Sequence, residues 1–292
     1  MPELLPADSA MGAVTLRVAD LDRMTAYYRD AVTLRVLAAE GGRTVLGRGS
    51  TPAVILEHAP ELKHASPGEA GLFHTAILFD TEEALAAAVY SVARRAPGTF
   101  TGSADHLVSK AFYFTDPEGN GVELYWDRDR SQWSWTHGQI EMGTLYLDPD
   151  GFLAEHLTDR GSELADAAAG EAPVFGDARV GHVHLSVGDV ASARDFYVDR
   201  LGFEATAALG GSALFVSAGG YHHHMAMNTW NSRGAGRRRL ALGLGEVEIR
   251  IPSADDLGAL TERMRHYGVE TRDDGRSVTF DDPWSNAVRV VV

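Results

Sequence analysis

The sequence predicts an α+β fold made of four copies of one strand–helix–three-strand (βαβββ) module, and three observations carry that expectation. First, Val14-Thr-Leu-Arg-Val-Ala-Asp-Leu-Asp22 matches Val183-His-Leu-Ser-Val-Gly-Asp-Val-Ala191 at an offset of 169 residues (183 − 14). Each run leads to an aromatic pair, Tyr27-Tyr28 or Phe196-Tyr197, and then to Asp30-Ala-Val-Thr-Leu34 or Asp199-Arg-Leu-Gly-Phe203. Second, His74-Thr-Ala-Ile-Leu-Phe-Asp80 and Glu246-Val-Glu-Ile-Arg-Ile-Pro252 precede two further helix-like runs, Thr81 to Arg95 and Ser253 to Tyr267. Third, these two units end alike, in Asp116-Pro-Glu-Gly-Asn-Gly-Val-Glu123 and Asp282-Pro-Trp-Ser-Asn-Ala-Val-Arg289.

Each element has a local reason. The opening strands alternate apolar and polar residues with period two, and the Asp that closes them (Asp20, Asp189) is suited to cap the next helix. In the Asp-Pro runs, Pro fixes φ and Gly or Asn tolerates positive φ, which is turn chemistry between two strands. The modules fall at 11–65, 71–127, 179–232 and 240–292, giving a first half over 1–130 and a second over 179–292. Between them, 131–178 reads as a linker with a helix from Phe152 to Ala169, ended by the break Gly170-Glu-Ala-Pro173.

Composition narrows the function. With 45% hydrophobic residues the chain is an ordinary globular protein, and nothing approaches the roughly eighteen consecutive apolar residues of a membrane span. The run Met1 to Ala10 has no basic residue and no apolar core, so a cytoplasmic location is expected. A net charge of -15 argues against nucleic acid, and Arg237-Arg238-Arg239 is expected to be a solvated loop. The absence of cysteine excludes disulfides, thiolate metal sites and cysteine nucleophiles.

Paired modules with this phrasing resemble the vicinal oxygen chelate superfamily, which includes glyoxalase I, fosfomycin and bleomycin resistance proteins and extradiol dioxygenases. The resemblance covers nearly the whole chain except the linker. It implies two open barrels, each curled from two modules, with metal ligands on the first and last strands of modules. Those first-strand positions are Ala13, His74, His182 and Glu246; the last-strand positions are Glu123 and Arg289. Ala13 and Arg289 cannot bind a cation, so pairing adjacent modules leaves both barrels incomplete. Pairing the second module with the third unites His74, Glu123 and His182, the two-histidine, one-carboxylate set of non-haem Fe(II) oxygenases. The first and fourth modules would then form a barrel without a metal.

A longer signature resembles the extradiol dioxygenases: His106, Phe112-Tyr113, Asp116-Pro117-x-Gly119 and Glu123, with Ala104 departing from the pattern. The resemblance implies ring cleavage of catechol or a substituted catechol by O2, with Fe(II), or alternatively Mn(II), as cofactor. His106 and Tyr113 would hydrogen-bond substrate oxygens. Within His222-His223-His224, at the start of a strand pattern, His223 matches the family's acid/base histidine, while His222 or His224 would line the pocket or replace a ligand. Strand alternation lets at most two of the three face inward. His184, Asn228, Trp230 and Phe215 are candidates for the substrate wall. The expected partners are a small aromatic diol and O2, with no nucleic acid or membrane and a homo-oligomer left open. Two other classes remain: a glyoxalase-like isomerase or lyase, and a non-catalytic small-molecule binder of the drug-resistance type.

Overall fold

The computed structural model describes residues 4–167 and 175–292. The first module runs β1 (Ala10–Val18), α1 (Leu21–Ala26) with a π-helical turn over Tyr27–Ala31, β2 (Arg35–Glu40), β3 (Arg43–Arg48) and β4 (Thr51–His58). The second runs β5 (Gly71–Phe79), α2 (Glu82–Arg95), β6 (Phe100–Asp105), β7 (Ser109–Thr115) and β8 (Gly121–Asp127). A connecting segment holds the small ribbon β9 (Trp135–Thr136) and β10 (Gln139–Ile140), then α3 (Pro149–His156) and α4 (Asp159–Asp166). The third module is β11 (Ala178–Ser186), α5 (Val190–Arg194) with a π-helical turn over Asp195–Arg200, β12 (Glu204–Leu209), β13 (Ala213–Ser217) and β14 (Met225–Asn228). The fourth is β15 (Gly243–Arg250), α6 (Ala254–His266), β16 (Thr271–Asp273), β17 (Ser277–Asp281) and β18 (Ala287–Val291).

The caps are where the sequence puts them. Asp20 and Asp189 accept from the backbone N–H groups of Arg23 and Ser192, while Thr81 and Ser253 cap α2 and α6. The linker helix differs from expectation. It is two helices, because Leu157 leaves the helical path and Thr158 starts a new one by accepting from Gly161 N. Ala168, Ala169 and the Gly170–Pro173 break lie outside the described residues.

Two eight-stranded sheets result, ordered β16-β17-β18-β15-β1-β4-β3-β2 and β12-β13-β14-β11-β5-β8-β7-β6. The first joins modules one and four through β1 against β15; the second joins modules two and three through β11 against β5, both antiparallel. Each sheet thus draws one module from either half of the chain. One large apolar cluster unites them, including Val14, Leu16 and Val54 of the first sheet and Ile77, Phe79 and Leu124 of the second. No helix among the described residues is long and apolar enough to cross a membrane.

The Asp-Pro turns tie the sheets together. Tyr28 of module one donates to Asp116 of module two, and Tyr197 of module three donates to Asp282 of module four, each at 3.0 Å and buried. The positive φ in these turns falls on Gly119 (86°) and Ser285 (66°), not on an asparagine. Asn120 and Asn286 instead donate side-chain amides to Asp116 and Asp282, both at 2.9 Å. Burial pushes both carboxyls up, against the pull of these donors.

Candidate metal centre

Sheet register builds the site. Ala76 on β5 lies opposite His182 on β11 and, on its other side, opposite Glu123 on β8. His74 is two residues before Ala76 and so shares its face. The small Ala76 leaves the space over which the three flanking side chains converge. His74 Nε2 lies 2.9 Å, and His182 Nε2 3.2 Å, from the same Glu123 oxygen, Oε2. All three residues are buried, at 6%, 2% and 2% exposure.

These residues fit a metal ion. One donor atom from each lies within 4.8 Å of the others. His74 Nε2, though close to the carboxylate, has no aligned hydrogen-bond partner, an orphan that a cation would satisfy. Burial opposes ionisation of Glu123, but the adjoining His182 and His74 hold its carboxyl well below the usual range. Burial also lowers His182, against the raising effect of Glu123. An anionic carboxylate beside an unprotonated imidazole is the state a divalent cation requires. A second group, His182, His222 and His223, is equally close. It has no carboxylate, and both ring nitrogens of His222 are already engaged by Asp127 (2.9 Å) and His223 (2.7 Å).

That engagement fixes a proton order. With a neutral His222, Nε2 donates to the Asp127 carboxylate, which only accepts, and Nδ1 is left as an acceptor. His223 Nδ1 must then carry the proton between the two rings, leaving His223 Nε2 with a free lone pair. The His223 ring is 4.1 Å from that of His182, centroid to centroid, and burial keeps it neutral. A second chain follows the same logic. The Gly143 carbonyl accepts from His106 Nδ1 (2.6 Å), so His106 Nε2 accepts from the Tyr113 hydroxyl (2.7 Å). Burial and the Glu123 charge hold the Tyr113 phenol well above its usual value, so it keeps its proton.

A cavity of about 840 Å³ opens above the ligand set, lined by His106, Tyr113, His184, Phe215, His223 and Trp230 among others. His184 faces His74 across the β5–β11 pairing, and neither of its ring nitrogens has a partner. Several expectations need correction. The histidine run is not on a strand, since β14 starts at Met225, so alternation does not govern it. His224 turns away from the cavity: its Nδ1 accepts from Ala218 N and its ring stacks on Phe203. Asn228 is fully buried outside the cavity, its Oδ1 accepting from Trp230 N, and His222 lies beside His182 and His223 without lining the cavity. Arg238 is also no solvated residue, being partly buried and hydrogen-bonded to Asn286.

The sequence reading missed Asp127 and the segment 139–144. Period-two counting from Glu123 through Tyr125 points to Asp127, a signal that was there to use. Segment 139–144 belongs to no repeat, so nothing marked it.

Curled sheets made from modules of different chain halves, with a buried polar set in the curl, define a class in which the sheet itself is the binding cup. The chain belongs to the Glyoxalase/Bleomycin resistance protein/Dioxygenase superfamily, which it matches over residues 10–124 and 179–290. It is 34% identical over 285 residues to a catechol-2,3-dioxygenase of Bacillus subtilis (strain 168), covering 96% of each chain. Among solved structures, a Bacillus subtilis protein superposes with TM-score 0.65 at 12% identity, covering 99% of this chain and 86% of the other. Glyoxalase I from Zea mays superposes with TM-score 0.58 at 18% identity, covering 97% and 92%. At such identities these two structures speak to the fold alone.

Proposed function

We propose that the protein cleaves catechol or a substituted catechol by the extradiol (meta) route, using O2 and Fe(II) held by His74, Glu123 and His182, with Mn(II) as the alternative. The convergence of these three side chains on one point at the base of the cavity carries the reading. The similarity to a catechol-2,3-dioxygenase supports it. Bound there, the metal would supply Lewis acidity toward the diol and a source of electrons for O2.

The chain's own residues do the rest. A catechol must lose a proton to chelate, and His223 Nε2, its lone pair fixed by the Asp127–His222 order, is the acceptor. The same nitrogen can return that proton later in the cycle. Tyr113, donating to His106, offers its oxygen lone pairs to a substrate hydroxyl and holds the ring in place. Phe215 and Trp230 flank the ring and exclude water.

Anaerobic loading with Fe(II), followed by catechol and air, is expected to give the yellow ring-opened product. Glu123→Ala should lower kcat by at least about 100-fold, as loss of the anionic ligand weakens metal binding and electron supply. Full activity in that variant sinks the ligand set. Metal-loaded protein that stays inert toward every catechol leaves the glyoxalase-like isomerase or lyase and the binder.

A further inference from the structure

The cavity is crossed by chain that the four modules do not supply. Segment 139–144 leaves the β9–β10 ribbon and crosses from one edge of the sheet to the other. At one end β10 lies against β12, the edge strand of module three. At the other, Gly143 N donates to His106 O (3.2 Å) and Leu145 bridges Asp105 at the end of β6, the opposite edge. Met142 packs on both sides of this gap, against the Trp133–Ile140 cluster and against Phe215. The segment is therefore a strap across an open half-barrel, and its underside is part of the substrate wall.

We propose that this strapped cavity selects neutral catechols bearing a bulky apolar ring substituent, alkyl or aryl, and rejects anionic ones; the proposal rests on the ring-cleavage reading above. Several observations carry it. Beyond the ligand set the wall is mostly apolar and includes Ile140, Met142, Leu209 and Phe215 with the small Ala104 and Ala207. No Lys or Arg lines the cavity among the described residues. The nearby cations are spent elsewhere, Lys110 on Glu82 (2.6 Å) and Arg128 on Asp105 (2.7 Å). The strap instead contributes a carboxylate, Glu141. A substituent carboxylate would lose its water without gaining a cation, a penalty that the exposed Glu141, which accepts from Thr136 Oγ1, does nothing to offset. The volume of about 840 Å³ is in the upper range for drug-sized ligands, well beyond the needs of a bare ring.

The test has two arms. With Fe(II)-loaded protein, kcat/KM is measured for catechol, phenylcatechol and dihydroxyphenylacetate. Phenylcatechol is expected to exceed dihydroxyphenylacetate by at least about 100-fold. Leu209→Arg, which puts a cation at the rim, should narrow that ratio by about tenfold or more. With metal-free protein, calorimetry compares 2-hydroxybiphenyl, which cannot chelate, with phenylacetate; only the former is expected to bind. Cleavage indifferent to charge, or a preference for the anionic substrate, overturns the proposal. So does equal or preferential binding of phenylacetate by the metal-free protein. If no catechol is cleaved but 2-hydroxybiphenyl still binds selectively, the cavity assignment stands and the ring-cleavage reading falls.

Discussion

Three consecutive histidines, all buried, do three different things. His223 lines the cavity, His222 joins it to Asp127, and His224 packs on Phe203 with its Nδ1 accepting from Ala218 N. Burial, with lesser effects from His222 and Arg130, pushes His224 down to about 3. An unfolded histidine takes its proton near pH 6.5, so the fold's preference for neutral His224 is fully expressed above that pH. It is lost progressively as pH falls from 6.5 toward 3. By pH 5 this amounts to about 2 kcal/mol. His224→Asn keeps an acceptor for Ala218 N and removes the titration. Urea unfolding at pH 7 and pH 5 should therefore show the native protein losing about 2 kcal/mol more than the variant; equal losses contradict the assignment. That His74, His182, Glu123, His106 and Tyr113 gather at one cavity was legible because each sits at a fixed place in a repeated module or signature. His224 was misread because the chain leaves strand geometry just before β14, where period two stops predicting direction; Asn228 is on β14 itself, fully buried outside the cavity.

At the scale of elements, the strands and long helices followed from alternation and caps, while the connecting segment did not. Its helices α3 and α4 pack on α2, and its strap obeys no internal period. What anchors its far end is Arg48 at the end of β3, which is only 2% exposed. Its guanidinium donates to the carbonyls of Thr33, Phe175 and Gly176 and lies 4.9 Å above the Phe79 ring. Thr33 needs that support, since it is a β-branched residue at φ 66°. Burial brings Arg48 down to about 10, so it remains charged at neutral pH. A lone Arg before a turn gives no hint of this in sequence, because its partners lie up to 128 residues away. Arg48→Met should cost about 3 kcal/mol by leaving buried carbonyls without donors. Chemical denaturation measures it, and a loss below about 1 kcal/mol would show the bonds to be dispensable.

For the whole molecule, two kinds of link run crosswise. Strand pairing joins modules one with four and two with three, whereas the Tyr28–Asp116 and Tyr197–Asp282 bonds join one with two and three with four. The pairing was legible from chemistry, since only one combination completes a ligand set. The tyrosine ties were not, because a Tyr before a loop and an Asp before a Pro each have a sufficient local explanation. Tyr28→Phe and Tyr197→Phe should each cost about 1.5–3 kcal/mol, the range for a buried bond to a charged acceptor, and add in the double variant. Thermal melts of the singles and the double decide it; a double variant no worse than either single would mean that one tie carries the whole load.

Crosswise pairing also sets the order of events as the chain is made. His182 meets Ala76 across 106 residues (182 − 76), and Val247 meets Val14 across 233 (247 − 14). While the first half leaves the ribosome, β5 and β1 each have a neighbour on one side only, β8 and β4. Their other edges stay open until β11 and β15 have been synthesised. Two unpaired central strands are a standing invitation to pair with other chains. Prompt arrival of the second half is thus what protects the nascent protein from aggregation, and a ribosome stalled before residue 178 would release its most adhesive form.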